Sequence, residues 1–390
     1  MSSFSSGQQE RDRQKNPEAE NPVSGKNGCV ELLRFLFTSI IILFHINLDL
    51  WDQGKVIAVL RGVPVAFFNH GNLGVEFFFL VTGYLMAKCV CNDVGRGDPQ
   101  VLPDRTVRFL ARKAKAIFPY YLSACLFTFV VRRLTCRTLN ADYFLQRIPS
   151  LFLLQRLGLG RPVIGCTWYL SSMLIALAIA YPLCFLFYRL YVRFAGPVLC
   201  AVILCVLLIR TGTLGEINEW FLFTYKTNFR AFAEISLGAS GFELGRFLSG
   251  RKYARRARVL LSFTGILCLA ASLAYICSFA ASVWCLPVVV LLFILVVIAF
   301  SGEGWLSGTG IFSNRVCLYL GSISLPMYVT QTLFRMYVPW RFGGFVLSIQ
   351  CVLIYAGVLV FSIALHTAVC AAGSALRKKG PRRAVLRARS

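Results

Sequence analysis

Arg34 and His45 stand eleven residues apart inside ELLRFLFTSIIILFHINLDL, the run from Glu31 to Leu50. An imidazole takes up and gives back a proton near neutrality, and a guanidinium holds phosphate or carboxylate oxygens in a planar fork. A cationic anchor near one end and a titratable imidazole deeper in suggest a path for chemistry through a membrane. Eleven positions at about 100° each make three helical turns plus about 20°, so both side chains share one face, about 16 Å apart along the axis. The run itself is apolar, and about 20 helical residues cover a hydrocarbon core of about 30 Å. Ionisable groups at that depth are costly and usually face a protein interior or a wet cavity. Arg34, near the start of the run, equally suits a snorkelling anchor, and His45 equally suits a hydrogen bond between helices. The chain has only three histidines, which makes His45 the first candidate for a base.

Four other groups of residues bear on that chemistry. Asp49, one turn after His45, could fix the imidazole tautomer or simply be solvated near the end of the helix. Glu76 lies in the phenylalanine-rich run GVEFFFLVTGYLMAKCV and needs a buried partner, for which Arg34 is a candidate. Arg112, Lys113 and Lys115 could attract phosphates or mark a cytoplasmic loop. Trp168 and Tyr169 fit an interfacial aromatic belt or an acceptor site, whereas Thr82-Gly83 reads as close helix packing, Glu234 and Glu243 as internal ion pairs, and His366 as structural. The 15 cysteines fall mostly in apolar runs without a CxxC pair, so no metal site is expected. Cys136 and Cys166 flank one loop and could pair only if that loop faces an oxidising side.

Positioning these residues requires a membrane scaffold. With 390 residues, 57% hydrophobic content and 33 phenylalanines, the composition excludes an ordinary soluble domain. The net charge of +24 sits between and after apolar runs, the mark of cytoplasmic loops, so nucleic-acid binding is set aside. The expectation is an all-α, polytopic membrane protein of about ten transmembrane helices, with Asn92 to Lys115 as a basic loop and Ala116 to Val131 as the third span. An even count puts both termini on one side, which the basic loops make cytoplasmic. The basic segment 132–165 falls on the other side and contains FLQRIPSLFLLQRL, which reads as an amphipathic piece along the interface. If that piece crossed, everything downstream would invert. Residues 1–29 read as a disordered cytoplasmic tail and 372–390 as a basic one, with one membrane domain over 30–371.

The order of several motifs resembles the integral-membrane acyltransferase family three, whose members O-acylate, mostly O-acetylate, cell-surface polysaccharides and related glycans. Arg34-x10-His45 is similar to the family's arginine-ten-histidine motif. Gly74-Val-Glu76-Phe-Phe-Phe-Leu-Val-Thr82-Gly83-Tyr84, the basic stretch ending in Pro119-Tyr120-Tyr121, Trp168-Tyr169-Leu170 with Tyr181-Pro182, and Gly321-Ser-Ile-Ser324-Leu-Pro-Met-Tyr328 resemble its later pieces. Two departures stand out. The basic stretch has Lys113 and Ala116 where the family usually shows Arg-x-x-Arg, and Gln331 stands where it often has a histidine. The resemblance implies His45 and Arg34 as catalytic residues, Glu76 and Asp49 as supporting ones, and Arg112, Lys113 and Lys115 as contacts for acetyl-CoA or another acyl-CoA. It also implies a glycan or lipid-linked sugar as acceptor, with membrane lipid the only other partner. The alternative is a multi-span transporter or flippase of an anionic or lipid-linked substrate.

Overall fold

An asparagine starts the first helix: the Asn27 side chain accepts hydrogen bonds from the backbone N–H groups of Cys29 (3.0 Å) and Val30 (3.3 Å), and Glu31 adds negative charge to the first turn. A computed structural model describes residues 27–55, 58–60, 63–65, 68–94, 101–135, 141–251, 253–279, 281–303 and 314–387. Among them are ten long helices: α1 (Gly28–Asp52), α2 (Gly74–Val94), α3 (Leu102–Thr135), α4 (Trp168–Leu186), α5 (Gly196–Thr211), α6 (Lys226–Ser249), α7 (Arg255–Ile276), α8 (Cys285–Ser301), α9 (Arg315–Phe342) and α10 (Leu347–Arg387). Two antiparallel pairs of short strands, β1 (Ala58–Leu60) with β2 (Val63–Val65) and β3 (Trp220–Phe221) with β4 (Thr224–Tyr225), are the only sheet among the described residues.

Eight helical stretches are long and apolar enough to cross a membrane by length and composition, and α6 and α9 are not among them. The reason is burial inside the bundle. α6 packs against α2, α4, α5 and α8, and α9 against α1, α3 and α10. Their polar side chains therefore meet protein: Arg230, Glu234, Ser236, Thr330 and Gln331 are all buried. Lipid-facing positions lie on the outer helices, where Ile209 is 82% exposed and Val352 66%. The α2–α6 contact is close enough to depend on glycine. A Cβ at Gly83 would fall 2.0 Å from the Ile235 carbonyl oxygen, and one at Gly238 2.2 Å from that of Leu80.

Two sequence expectations change, and the crossing considered as the alternative for 132–165 is absent among the described residues. The basic stretch before Ala116 is not a loop, because α3 begins at Leu102 and runs 34 residues. That is about 51 Å at 1.5 Å per residue, well beyond a hydrocarbon core of about 30 Å. The segment after α3 does not cross the bundle as a helix. Its pieces, Ala141–Leu145 and Ile148–Leu151, hold 5 and 4 residues. With the residues that follow they fold instead against the middle of α3 and the starts of α4 and α6: Tyr121 donates to the Ser150 carbonyl (2.5 Å), Ser171 to that of Leu153 (2.6 Å), and Asn228 to that of Arg156 (2.8 Å). Finally, α10 remains helical to Arg387, through most of the stretch read as a tail. The expectations for 1–26 and for Cys136 fall outside the described residues.

Contacts between helix ends show which residues share a side. At one end Asn27 donates to the Ala299 carbonyl, Ser249 to that of Ser301, and Arg105 to that of Asp93. At the other, Asn69 donates to the Ser278 carbonyl and Arg156 to that of Ile217. The start of α1, with Arg34, thus belongs to the end rich in arginine, and His45 lies toward the opposite end.

Candidate active site

Three helices of separate sequence regions, α1, α4 and α9, line two cavities in the same axial order. The inner cavity, about 200 Å³, takes Arg34 and Thr38 from α1, Tyr169 and Met173 from α4, Ser324 and Tyr328 from α9, and Lys113 from α3. The outer cavity, about 610 Å³, takes His45 and Asp49 from α1, Cys166 and Trp168 from the start of α4, and Thr332 and Arg335 from α9. The Arg34–His45 spacing therefore places one residue in each cavity. Between them lies a layer that includes Tyr328, whose hydroxyl donates a short hydrogen bond to the Cys166 carbonyl, and Gln331, which donates to the Tyr328 carbonyl at 2.9 Å.

Around the imidazole the polar neighbours are the Ile41 carbonyl and the side chains of Gln331 and Arg335. His45 Nδ1 is buried and closes no hydrogen bond among the described residues, and the same holds for Gln331 Oε1. The imidazole and the amide thus keep hydrogen-bonding capacity that a bound hydroxyl could use. Asp49 does not orient His45. Its carboxylate is gripped by Arg335 on α9, with Nε to Oδ2 at 2.6 Å and a second, shorter contact between Nη2 and Oδ1. A bidentate guanidinium offers both oxygens a fixed, charge-assisted partner, which a single imidazole N–H does not match.

Arg34 does not pair with Glu76. It lies 3.2 Å from Glu31, three residues earlier on α1, leaving its side chain about one-third exposed. Glu76 is fully buried and pairs with Arg230 of α6, whose Nε also lies 3.5 Å from Glu234 Oε1. Arg230 donates in addition to the Leu214 carbonyl (2.9 Å) and stacks 5.5 Å from the Trp168 ring centroid. Glu76 lines neither cavity described above; its contribution to the site runs through Arg230 to Trp168 in the outer cavity wall.

Arg112, Lys113 and Lys115, the three residues expected to contact the donor, divide between two places on α3. Arg105, Arg108, Arg112 and Lys115 recur every three or four residues, and with Asp93 they line a cleft of about 580 Å³ at the Arg34 end. Lys113 lies about 100° round the helix and faces inward beside Arg34. Helical periodicity accounts for this split, and the one-place shift of Lys115 from the expected pattern lands it on the cleft stripe.

Sequence reasoning missed Arg156, Arg230 and Arg335 as parts of the site. Their signal was their charge in or beside apolar runs, but nothing in the sequence indicated which carboxylates they met. No match was found among curated proteins or solved structures. The family model described as an acyltransferase domain, acyltransferase family 3, matches residues 27–370, and the chain belongs to that family: it is a membrane acyltransferase.

Proposed function

We propose that the protein moves an acyl group, acetyl in the simplest case, from cytosolic acyl-CoA to a hydroxyl of a glycan or lipid-linked sugar held in the outer cavity. The observation that carries this reading is the stacking of two cavities along α1, with Arg34 in one and His45 in the other. Both termini, α3's basic stripe and the inner cavity lie on the cytoplasmic side in this reading, as the excess of arginine and lysine there favours. The stripe gathers the phosphates of the donor. Arg34 and Lys113 then hold anionic or carbonyl oxygens as the thioester enters.

His45 accepts the proton of the acceptor hydroxyl as its oxygen bonds to the thioester carbon. The tetrahedral oxyanion collapses, the carbon–sulfur bond breaks, and the leaving thiolate takes the proton back from the imidazolium. The thioester carbon must pass the layer between the cavities, so Tyr328, tethered to Cys166, is the side chain that has to give way. The test is mass analysis of surface glycans from cells with and without the protein. An acyl-sized mass difference identifies group and acceptor; identical masses together with measurable substrate flux point to transport instead.

A further inference from the structure

We infer that the outer cavity contains an anion site built on Arg156, so that the acceptor presented to His45 carries an oxyanion, as a carboxylate or a phosphate ester. The inference rests on the functional reading above and narrows its acceptor. Arg156 is 4% exposed, yet among the described residues no carboxylate lies within ion-pair distance of it. Its Nη1 donates to the Ile217 carbonyl (2.8 Å) and its Nη groups to Asn218 Oδ1 (3.3 and 3.4 Å), both neutral acceptors. Nε is buried without a partner, and the guanidinium rests 4.8 Å from the Tyr225 ring centroid.

A buried guanidinium without a counter-charge is costly, and in general such charges are paired or bind a ligand. Burial lowers its pKa to about 10, which still leaves it protonated at neutral pH. The other charges in that cavity are accounted for. Asp49 and Arg335 neutralise each other, and Asp52 is exposed to solvent at the edge. Arg156 is held in position by its carbonyl, which accepts from Asn228, and by its N–H, which donates to Ser171. A fixed fork sharing a cavity with His45 is the arrangement that would orient an anionic acceptor's hydroxyl toward the base.

The experiment uses the purified full chain in detergent, with its unfolding midpoint followed in sodium glucuronate, sodium glycerol phosphate, sodium chloride at matched ionic strength, and methyl glucoside. Glucuronate or glycerol phosphate should raise the midpoint by about 2–4 °C over chloride, and the neutral glucoside should not. In Arg156→Gln that anion-specific rise should disappear. A rise with glucuronate alone points to an acidic sugar, and one with glycerol phosphate alone to the phosphate of a lipid carrier. No anion-specific rise in the parent protein, or an equal rise in Arg156→Gln, overturns the inference. Should Arg156→Gln not purify, Arg156→Lys decides: it keeps the charge and loses the fork, so a reduced rise supports the site and an undiminished one overturns it. No acyl donor is present, so loss of the anion site and loss of the acyltransfer reading are separate results.

Discussion

The cleft at the Arg34 end and the outer cavity are both lined by cations, but they are built in opposite ways. Four basic residues of the cleft, Arg105, Arg108, Arg112 and Lys115, come from one face of one helix, and three of them are exposed. In the outer cavity the charged groups arrive from three elements: Asp49 and Asp52 from α1, Arg156 from the segment before α4, and Arg335 from α9. Redundant, solvated charges share an ionic task that salt screens and that no single residue decides. Single, partly desolvated charges do not share, and each loss is felt in full. One end is suited to collecting a donor, the other to fixing a geometry.

Substitutions can break or sharpen that contrast. The largest effect is expected at the outer cavity, where His45→Ala should lower acyl transfer from labelled acyl-CoA by about 10²–10⁴-fold, the usual contribution of a general base. His366→Ala, measured beside it, should keep its activity, because that imidazole meets Tyr120 (2.9 Å) and Ser322 (3.2 Å) outside both cavities. Equal losses in the two variants would remove His45 from the central role. Next comes Arg34→Lys, which keeps the charge and loses the fork: a fall of about tenfold in kcat/KM for acyl-CoA is expected, the scale of one charge-assisted contact. Full activity there would reduce Arg34 to a topological anchor held by Glu31. The smallest effect belongs to the cleft. Arg112→Gln with Lys115→Gln should raise KM for acyl-CoA by about two- to fivefold with kcat unchanged, and the difference should shrink in high salt. A salt-independent loss of kcat would show that the two ends are not different in kind.

The sequence-based reading went as far as periodicity carries. The 3.6-residue repeat assigns faces, so it puts Arg34 and His45 on one side of α1; it could not separate Lys113 from Arg112 and Lys115 while that stretch was read as a loop. It does not say which helix lies against a face. Glu76 and Arg230 are 154 residues apart, and Asp49 and Arg335 are 286 apart. Those pairings come from the order in which ten helices pack, which one chain's local pattern does not encode. The pairing of Arg34 with Glu31, three residues away, follows from the same rule, since i,i+3 side chains are neighbours on one helix. α6 shows the limit from the other side: its charges make it too polar for a lone span, and only its neighbours make it a core helix.

The length of α3 has a consequence for supply. About 20 Å of it exceeds what a bilayer interior can cover, and its first turns carry the arginine stripe while Phe109 packs on Tyr181 and Arg105 reaches the Asp93 carbonyl. A polyanion approaching that end meets those arginines first, so its capture would depend on the ionic strength of the surrounding solution, while a step at His45, deep in the bundle, would not sense it.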